Sequence, residues 1–217
     1  MDADRPKQYL ALGRHTLLEH AARSLLADAR VERVVIVIAK DDPYAADLAL
    51  PPRCEWLRDG GASRAETVRN GLRHLRCDRA IDGGVQDWVL VHDAARPCLA
   101  AQDLARLIDT VGDDVNGGLL AAAASDTMKR GADGRVVETV ERTTLWRALT
   151  PQYFRIDILA RALESDAAAL AATDESAAVE RLGFRPRLVA GATSNWKVTV
   201  ASDLLLAESI LKEQGRW

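Results

Sequence analysis

The stretch Trp88-Val89-Leu90-Val91-His92-Asp93-Ala94-Ala95-Arg96-Pro97 decides the fold. Its first four residues are all apolar, and they predict a strand buried on both faces, as in a parallel sheet covered by helices. Asp93 comes two residues after the strand stops, at its carboxyl end, where open α/β sheets bind ligands. Arg96 follows three residues later. A carboxylate for a hard cation and a planar guanidinium for phosphate, on one small-residue turn, point to magnesium-assisted phosphate chemistry. The plainer reading is an acid that caps the next helix and pairs with a surface arginine.

Upstream, Val34 to Ala39 is a second all-apolar strand. It follows a helical pattern, Leu17, Leu18, Ala21, Leu25 and Leu26, with Thr16 and Glu19 suited to the first turn. Helix followed by buried strand is the alternation of a parallel sheet, and it recurs along the chain. Lys7, in Pro6-Lys7-Gln8-Tyr9-Leu10, lies just ahead of that helix, where a solvated surface lysine is the ordinary expectation. Between the two strands, Asp59-Gly60-Gly61-Ala62-Ser63-Arg64 leads into a helix from about Ala65 to Leu75. Paired glycines let backbone approach a ligand, a helix start favours an anion or a polar base edge, and Thr67 adds a hydroxyl. An ordinary loop would carry the same letters. Neither GxGxxG nor GxxxxGK[ST] occurs, which excludes the dinucleotide fingerprint and the P-loop.

Downstream, Asp103 to Val111 reads as an amphipathic helix and Gly117 to Ala124 as a strand of small residues. The pattern then breaks. Ser125 to Arg130 and Arg135 to Val140 look like two strands joined by the turn Gly131-Ala132-Asp133-Gly134. Alternating charged and β-branched residues there offer little to a one-domain core, so the hairpin is either solvated or laid across another subunit; residues 125–143 are read as a dimerisation arm. Leu145 to Gln152 precedes a helix, Ile156 to Leu163. Thr173 is expected to cap a further helix, with Asp174 and Glu175 in its first turn. Arg187 to Ala190 is a short strand. Lys197 sits on an apolar stretch and needs an anionic partner. The last helix starts at Ser202 or Asp203 and packs Leu204, Ala207, Ile210 and Leu211 inward.

Composition narrows the class. The 217 residues carry a net charge of −3 and are 48% hydrophobic, which fits a globular chain of one α/β domain over 1–217 or of two small ones. No basic stripe argues for a nucleic-acid partner. Cys54, Cys77 and Cys98 lie far apart without CxxC spacing, as in a reducing compartment. No apolar run is long enough to span a bilayer and no signal-like segment opens the chain, so a cytoplasmic protein without membrane contact is expected.

The segments PKQYL (from Pro6), LEH (from Leu18), DGGASRAETV (from Asp59), WVLVHDAARPC (from Trp88), DTMKR (from Asp126), LWRALTPQ (from Leu145), TDE (from Thr173) and NWKVT (from Asn195) together resemble the 2-C-methyl-D-erythritol 4-phosphate cytidylyltransferases. The similarity runs from Pro6 to the last helix. It implies a Rossmann-like nucleotidyltransferase α/β sheet, mostly parallel and three-layered, with a protruding β-hairpin dimerisation arm. The implied reaction joins CTP to 2-C-methyl-D-erythritol 4-phosphate, releasing pyrophosphate, in isoprenoid precursor synthesis. By the same resemblance Lys7 and Lys197 stabilise the α-phosphate, and Asp93 ligates Mg²⁺. Gly60, Gly61 and Thr67 take the nucleotide. Arg96, Thr127, Thr150 and Thr173 line the acceptor side, and Arg142 reaches the acceptor phosphate in the partner of a homodimer.

Ala62 stands where many members have an acid, and Thr67 where a serine is usual. The family also opens with a strand and a glycine-rich loop, PAAGxGxR. This chain begins at what would be that loop's last residue, so a mis-started reading frame is expected. The alternatives are a cytidylyltransferase for another polyol phosphate, such as ribitol 5-phosphate, and an inactive truncated homologue that only dimerises.

Overall fold

Trp88–Val91 forms strand β5, and its side chains alternate between two cores as a pleated strand must. Trp88 and Leu90 pack with one apolar cluster, Val89 and Val91 with another. The computed structural model describes residues 5–79, 87–164 and 171–217; Asp2 and Asp4 of the expected polar amino terminus lie outside them.

In chain order the strands are β1 (Ala11–Leu12), β2 (His15–Thr16), β3 (Val34–Val37), β4 (Cys54–Leu57), β5, β6 (Gly118–Ala123), β7 (Met128–Ala132), β8 (Arg135–Val140), β9 (Trp146–Arg155) and β10 (Arg187–Ala190). The helices are α1 (Leu17–Leu25), α2 (Arg64–Arg79), α3 (Ala101–Val111), α4 (Ile156–Glu164), α5 (Glu175–Glu180) and α6 (Asp203–Glu213). The main sheet has the order β10-β6-β9-β5, and β3 pairs with β4 beside it. Leu25 of α1 and Leu104, Leu107, Ile108 and Val111 of α3 cover one face. Ala65 and Leu72 of α2, Leu159 and Leu163 of α4 and Val179 of α5 cover the other. Three layers result, as expected. At about 1.5–3 kcal/mol for each large apolar side chain removed from water, either face alone outweighs any surface ion pair.

The sheet is mixed rather than mostly parallel. β3–β4 and β10–β6 are parallel, but β9 runs antiparallel to both its neighbours, β6 and β5. Most of the stretch Leu145 to Gln152, expected only to lead into α4, belongs to this ten-residue strand, although Pro151 sits within it and proline argues against a central strand. The structure accommodates Pro151 where the β6–β9 register shifts, between Leu119 and Ala121, and the Thr150–Pro151 peptide is cis. β5 is only half-buried instead of covered on all sides. Among the described residues it bonds to β9 alone, as β3 bonds to β4 alone. Consecutive residues of both strands, 33–39 and 87–95, line one cavity of about 1010 Å³.

Elsewhere local chemistry behaves as read. Thr16 and Glu19 form a reciprocal capping box at α1, with Thr16 N donating to Glu19 Oε2 at 2.7 Å. α6 starts at Asp203 and buries Ala207, Ile210 and Leu211. The hairpin β7–β8 turns more tightly than expected, through Asp133 and Gly134 alone, both at positive φ as a two-residue connection requires. α5 is capped by Asp174, whose carboxylate accepts from Ala177 N at 2.9 Å, and not by Thr173. The longer reach of an aspartate charge toward the free amides wins over the neighbouring hydroxyl.

Candidate active site

Asp93 lies immediately beyond β5, and three cations surround it. Its Oδ2 is 2.9 Å from Lys197 Nζ and 3.5 Å from Arg96 Nε, while its Oδ1 accepts from Arg64 Nε at 3.1 Å. Burial alone would push this carboxyl up; Arg64, Lys197 and Arg96 outweigh it and hold the group down at about 2. The anionic partner demanded by Lys197 is therefore Asp93.

The turn carrying Asp93 is fixed from behind. Asp93 N donates to Thr150 Oγ1 at 3.1 Å, and that hydroxyl lies 2.8 Å from His92 Nδ1. The Arg96 carbonyl, 3.1 Å from His92 Nε2, can only accept, so the neutral ring carries its proton there and Nδ1 accepts from the Thr150 hydroxyl. Burial draws His92 down to about 4 despite the nearby Asp93 charge, so the ring is neutral. Thr150, expected on the acceptor side, is buried and holds Asp93 in place. Asn195, also buried, donates to the Thr150 carbonyl at 2.7 Å and accepts from Arg96 Nη1 at 2.9 Å. Val198 N donates to the Ala95 carbonyl at 2.8 Å. Lys197 thus stands between two anchored residues.

Lys7 opens a short 3-10 turn, Lys7–Tyr9, and its ammonium donates to the Val198 carbonyl at 3.1 Å, one residue from Lys197. Tyr9, fully buried and donating to Asp42 at 2.8 Å, pins that turn. The solvated-lysine expectation fails here because the turn docks on the Lys197 segment. On the opposite wall, Gly60 N donates to the Ile38 carbonyl at 2.8 Å. A Cβ on Gly60 would fall 2.9 Å from that same oxygen, so only glycine permits this approach of β3's end. Thr67 Oγ1 accepts from Gly61 N at 3.1 Å and donates to the Ser63 carbonyl at 2.9 Å, closing the turn at the start of α2.

Lys7, Gly60, Gly61, Arg64, Thr67, Asp93 and Lys197 all line the 1010 Å³ cavity. Arg96 stands behind Asp93. Thr127, Arg142 and Thr173 are exposed and lie outside the cavity lining of the single chain. Arg142, at the root of the hairpin, donates to the Ser125 carbonyl. Sequence reasoning missed Arg64 and Glu175, which pair across the site, and the role of His92. Arg64 and Glu175 stood inside quoted segments, but only the fold brings residues 111 positions apart together.

Among the described residues no group of three or more His, Cys, Asp and Glu side chains could hold a metal. One carboxylate nevertheless suits an ion that keeps water and substrate phosphates as its other ligands, the usual habit of magnesium.

The α/β sheet turns two ammonium groups, an acid and a bare glycine turn toward one cavity. The comparisons place the chain, as a class, among the nucleotidyltransferases. A profile of the 2-C-methyl-D-erythritol 4-phosphate cytidylyltransferase family matches residues 1–213. The protein of that name from Laribacter hongkongensis is 51% identical over 214 residues, 97% of this chain and 90% of its own length. The one from Pseudomonas entomophila is 51% identical over 207 residues, 94% of this chain and 87% of its own length. A crystal structure of a 4-diphosphocytidyl-2C-methyl-D-erythritol synthase superposes with a TM-score of 0.85 at 39% identity, covering 94% of each chain. The Francisella tularensis 2-C-methyl-D-erythritol 4-phosphate cytidylyltransferase does so at 0.79 and 30%, covering 96% of this chain and 94% of its own. The chain belongs to the 2-C-methyl-D-erythritol 4-phosphate cytidylyltransferase family.

Proposed function

We propose that this chain transfers the cytidylyl group of CTP to 2-C-methyl-D-erythritol 4-phosphate. An oxygen of the acceptor phosphate attacks the α-phosphorus of CTP, the bond from that phosphorus to the β-phosphate oxygen breaks, and pyrophosphate leaves with the electron pair. The observation that carries this reading is the convergence of Lys7, Lys197 and Asp93 on one cavity with the Gly60-Gly61 turn. Two polyanions must be held together while charge grows on the α-phosphate, and fixed ammonium groups meet that need without reorganising.

Lys7 and Lys197 face the α-phosphate. The Gly60-Gly61 backbone reads the cytosine, and Thr67 keeps that turn in shape. Asp93 would hold Mg²⁺, which when bound neutralises phosphate charge. Arg96 and Thr173 take the acceptor side, with Thr150 acting there through Asp93. Residues 125–143, within a single domain of 1–217, form an arm that pairs two copies into a homodimer. Arg142, with Thr127 beside it, then completes the acceptor site of the partner subunit. No helix among the described residues is long and apolar enough to cross a membrane, which is compatible with a cytoplasmic enzyme.

Pyrophosphate release from CTP, measured with 2-C-methyl-D-erythritol 4-phosphate and separately with ribitol 5-phosphate, tests the reading. Faster turnover of the pentitol phosphate would reassign the acceptor. No release with either would sink the assignment.

A further inference from the structure

Arg64 is the first residue of α2, directly after the glycine turn, yet its side chain spans to two other elements. Its Nη1 and Nη2 donate to Glu175 Oε1 and Oε2 at 2.6 and 3.0 Å, a bidentate pair, while Nε donates to Asp93 Oδ1 at 3.1 Å. Glu175, the first residue of α5, is 1% exposed. Its neighbours are themselves tied to β9: the Gln152 side-chain amide donates to Asp174 Oδ2 at 2.9 Å and its oxygen accepts from Ser176 N at 2.7 Å. The anchor under Arg64 is therefore rigid.

The three-point contact has a geometric consequence. With one N–H of each terminal nitrogen paired to Glu175, Nε is the donor that faces Asp93, and it takes Oδ1. That leaves Oδ2 turned toward Lys197 and Arg96. The guanidinium thus fixes the plane of the Asp93 carboxylate in the cavity. It also braces the glycine turn, in the cavity lining, against the start of α5, next to Thr173, which the functional reading puts on the acceptor side.

We propose that Arg64, held by Glu175, is a positioning residue for cytidylyl transfer, setting which oxygen of Asp93 faces Lys197 and fixing the separation of the nucleotide and acceptor walls. The proposal rests on the functional reading above and adds to it a pair that acts through Asp93. Removing one partner would strand a buried charge and endanger the fold, so the informative variant removes both: Arg64→Met with Glu175→Met, an apolar pair of similar volume that is commonly tolerated in place of a buried ion pair. Arg64→Lys is the companion, keeping the charge while losing the fork that reaches both acids at once.

The experiment measures thermal midpoint, kcat and KM for both substrates in the full chain. Expected is a double variant whose midpoint stays within a few degrees of wild type while kcat falls about 10–100-fold, the usual cost of losing a supporting contact, with KM for CTP moving less than about threefold. Arg64→Lys should fall between. A double variant that folds and retains kcat within twofold of wild type would overturn the proposal, as would a loss confined to KM. A double variant that fails to fold leaves the decision to Arg64→Lys, which overturns the proposal if its kcat is unchanged. Wild-type chain without turnover overturns the functional reading, and this proposal with it.

Discussion

At the residue scale, the site is an exercise in unequal charge. Asp93 and Glu175 face Arg64, Arg96 and Lys197, so the cluster carries one excess positive charge before any substrate arrives. Asp93→Asn removes the carboxylate that contacts all three cations; kcat for pyrophosphate release should drop about 100–1000-fold, as when one preorganised electrostatic group is lost. Undiminished turnover would remove Asp93 from the chemistry. His92 gives a separate, pH-dependent handle. Its folded value of about 4 lies below the ordinary 6.5, so between those limits the unfolded chain binds more protons. Its contribution to stability is present above pH 6.5 and lost as the pH falls toward 4, by roughly 2–3 kcal/mol. Urea midpoints should decline over that window in the wild type and decline less in His92→Asn; parallel slopes would show that the ring does not titrate there. Asp93 and Lys197 were legible in the sequence as a strand-end acid and a lysine in want of an anion. Arg64 was not, because a lone arginine at a helix start reads as solvated until its distant partners are known.

At the element scale, the exposed hairpin is the feature least explained by the single chain. Val136 and Val137 are 65% and 61% exposed, an unusual cost for β-branched residues unless another surface covers them. If two copies clasp through this arm, Arg142→Ala should raise the KM for the acceptor about 10–100-fold, the worth of one charge-assisted contact, with little change for CTP. Mixing Arg142→Ala with Lys7→Ala chains should then restore about a quarter of wild-type activity, since half the dimers are hybrids and each has one intact site. Absence of recovery would place the whole site within one chain. The helices and buried strands were readable because periodicity and apolar runs report burial directly. β9 was not, since its proline contradicts the local rule and only the register shift opposite Leu120 reconciles the two. The N-cap at α5 was misread by one residue for a smaller reason: threonine and aspartate side by side are both competent, and the helix start itself decides between them.

At the scale of the whole molecule, Asp93 and the glycine turn lie just beyond the ends of strands held in three layers, so core damage should reach the chemistry only through global unfolding. Leu159→Ala, at a fully buried position of α4, should cost about 2–5 kcal/mol and leave kcat of the folded fraction unchanged. A kcat that fell with the midpoint would mean that the layers and the site are not separable.

The facing borders of β3 and β5 bear on a different property, the behaviour of the chain in company. Val34 to Ala39 is six uncharged residues of high strand preference without proline, and the amides and carbonyls along one side of it bond to nothing among the described residues. Such a ribbon is a template for self-stacking. Warmed solutions should therefore develop thioflavin-positive fibrils, sooner when seeded with a peptide of residues 33–39, whereas a flat fluorescence trace would mean that the surrounding helices shield the ribbon from its neighbours.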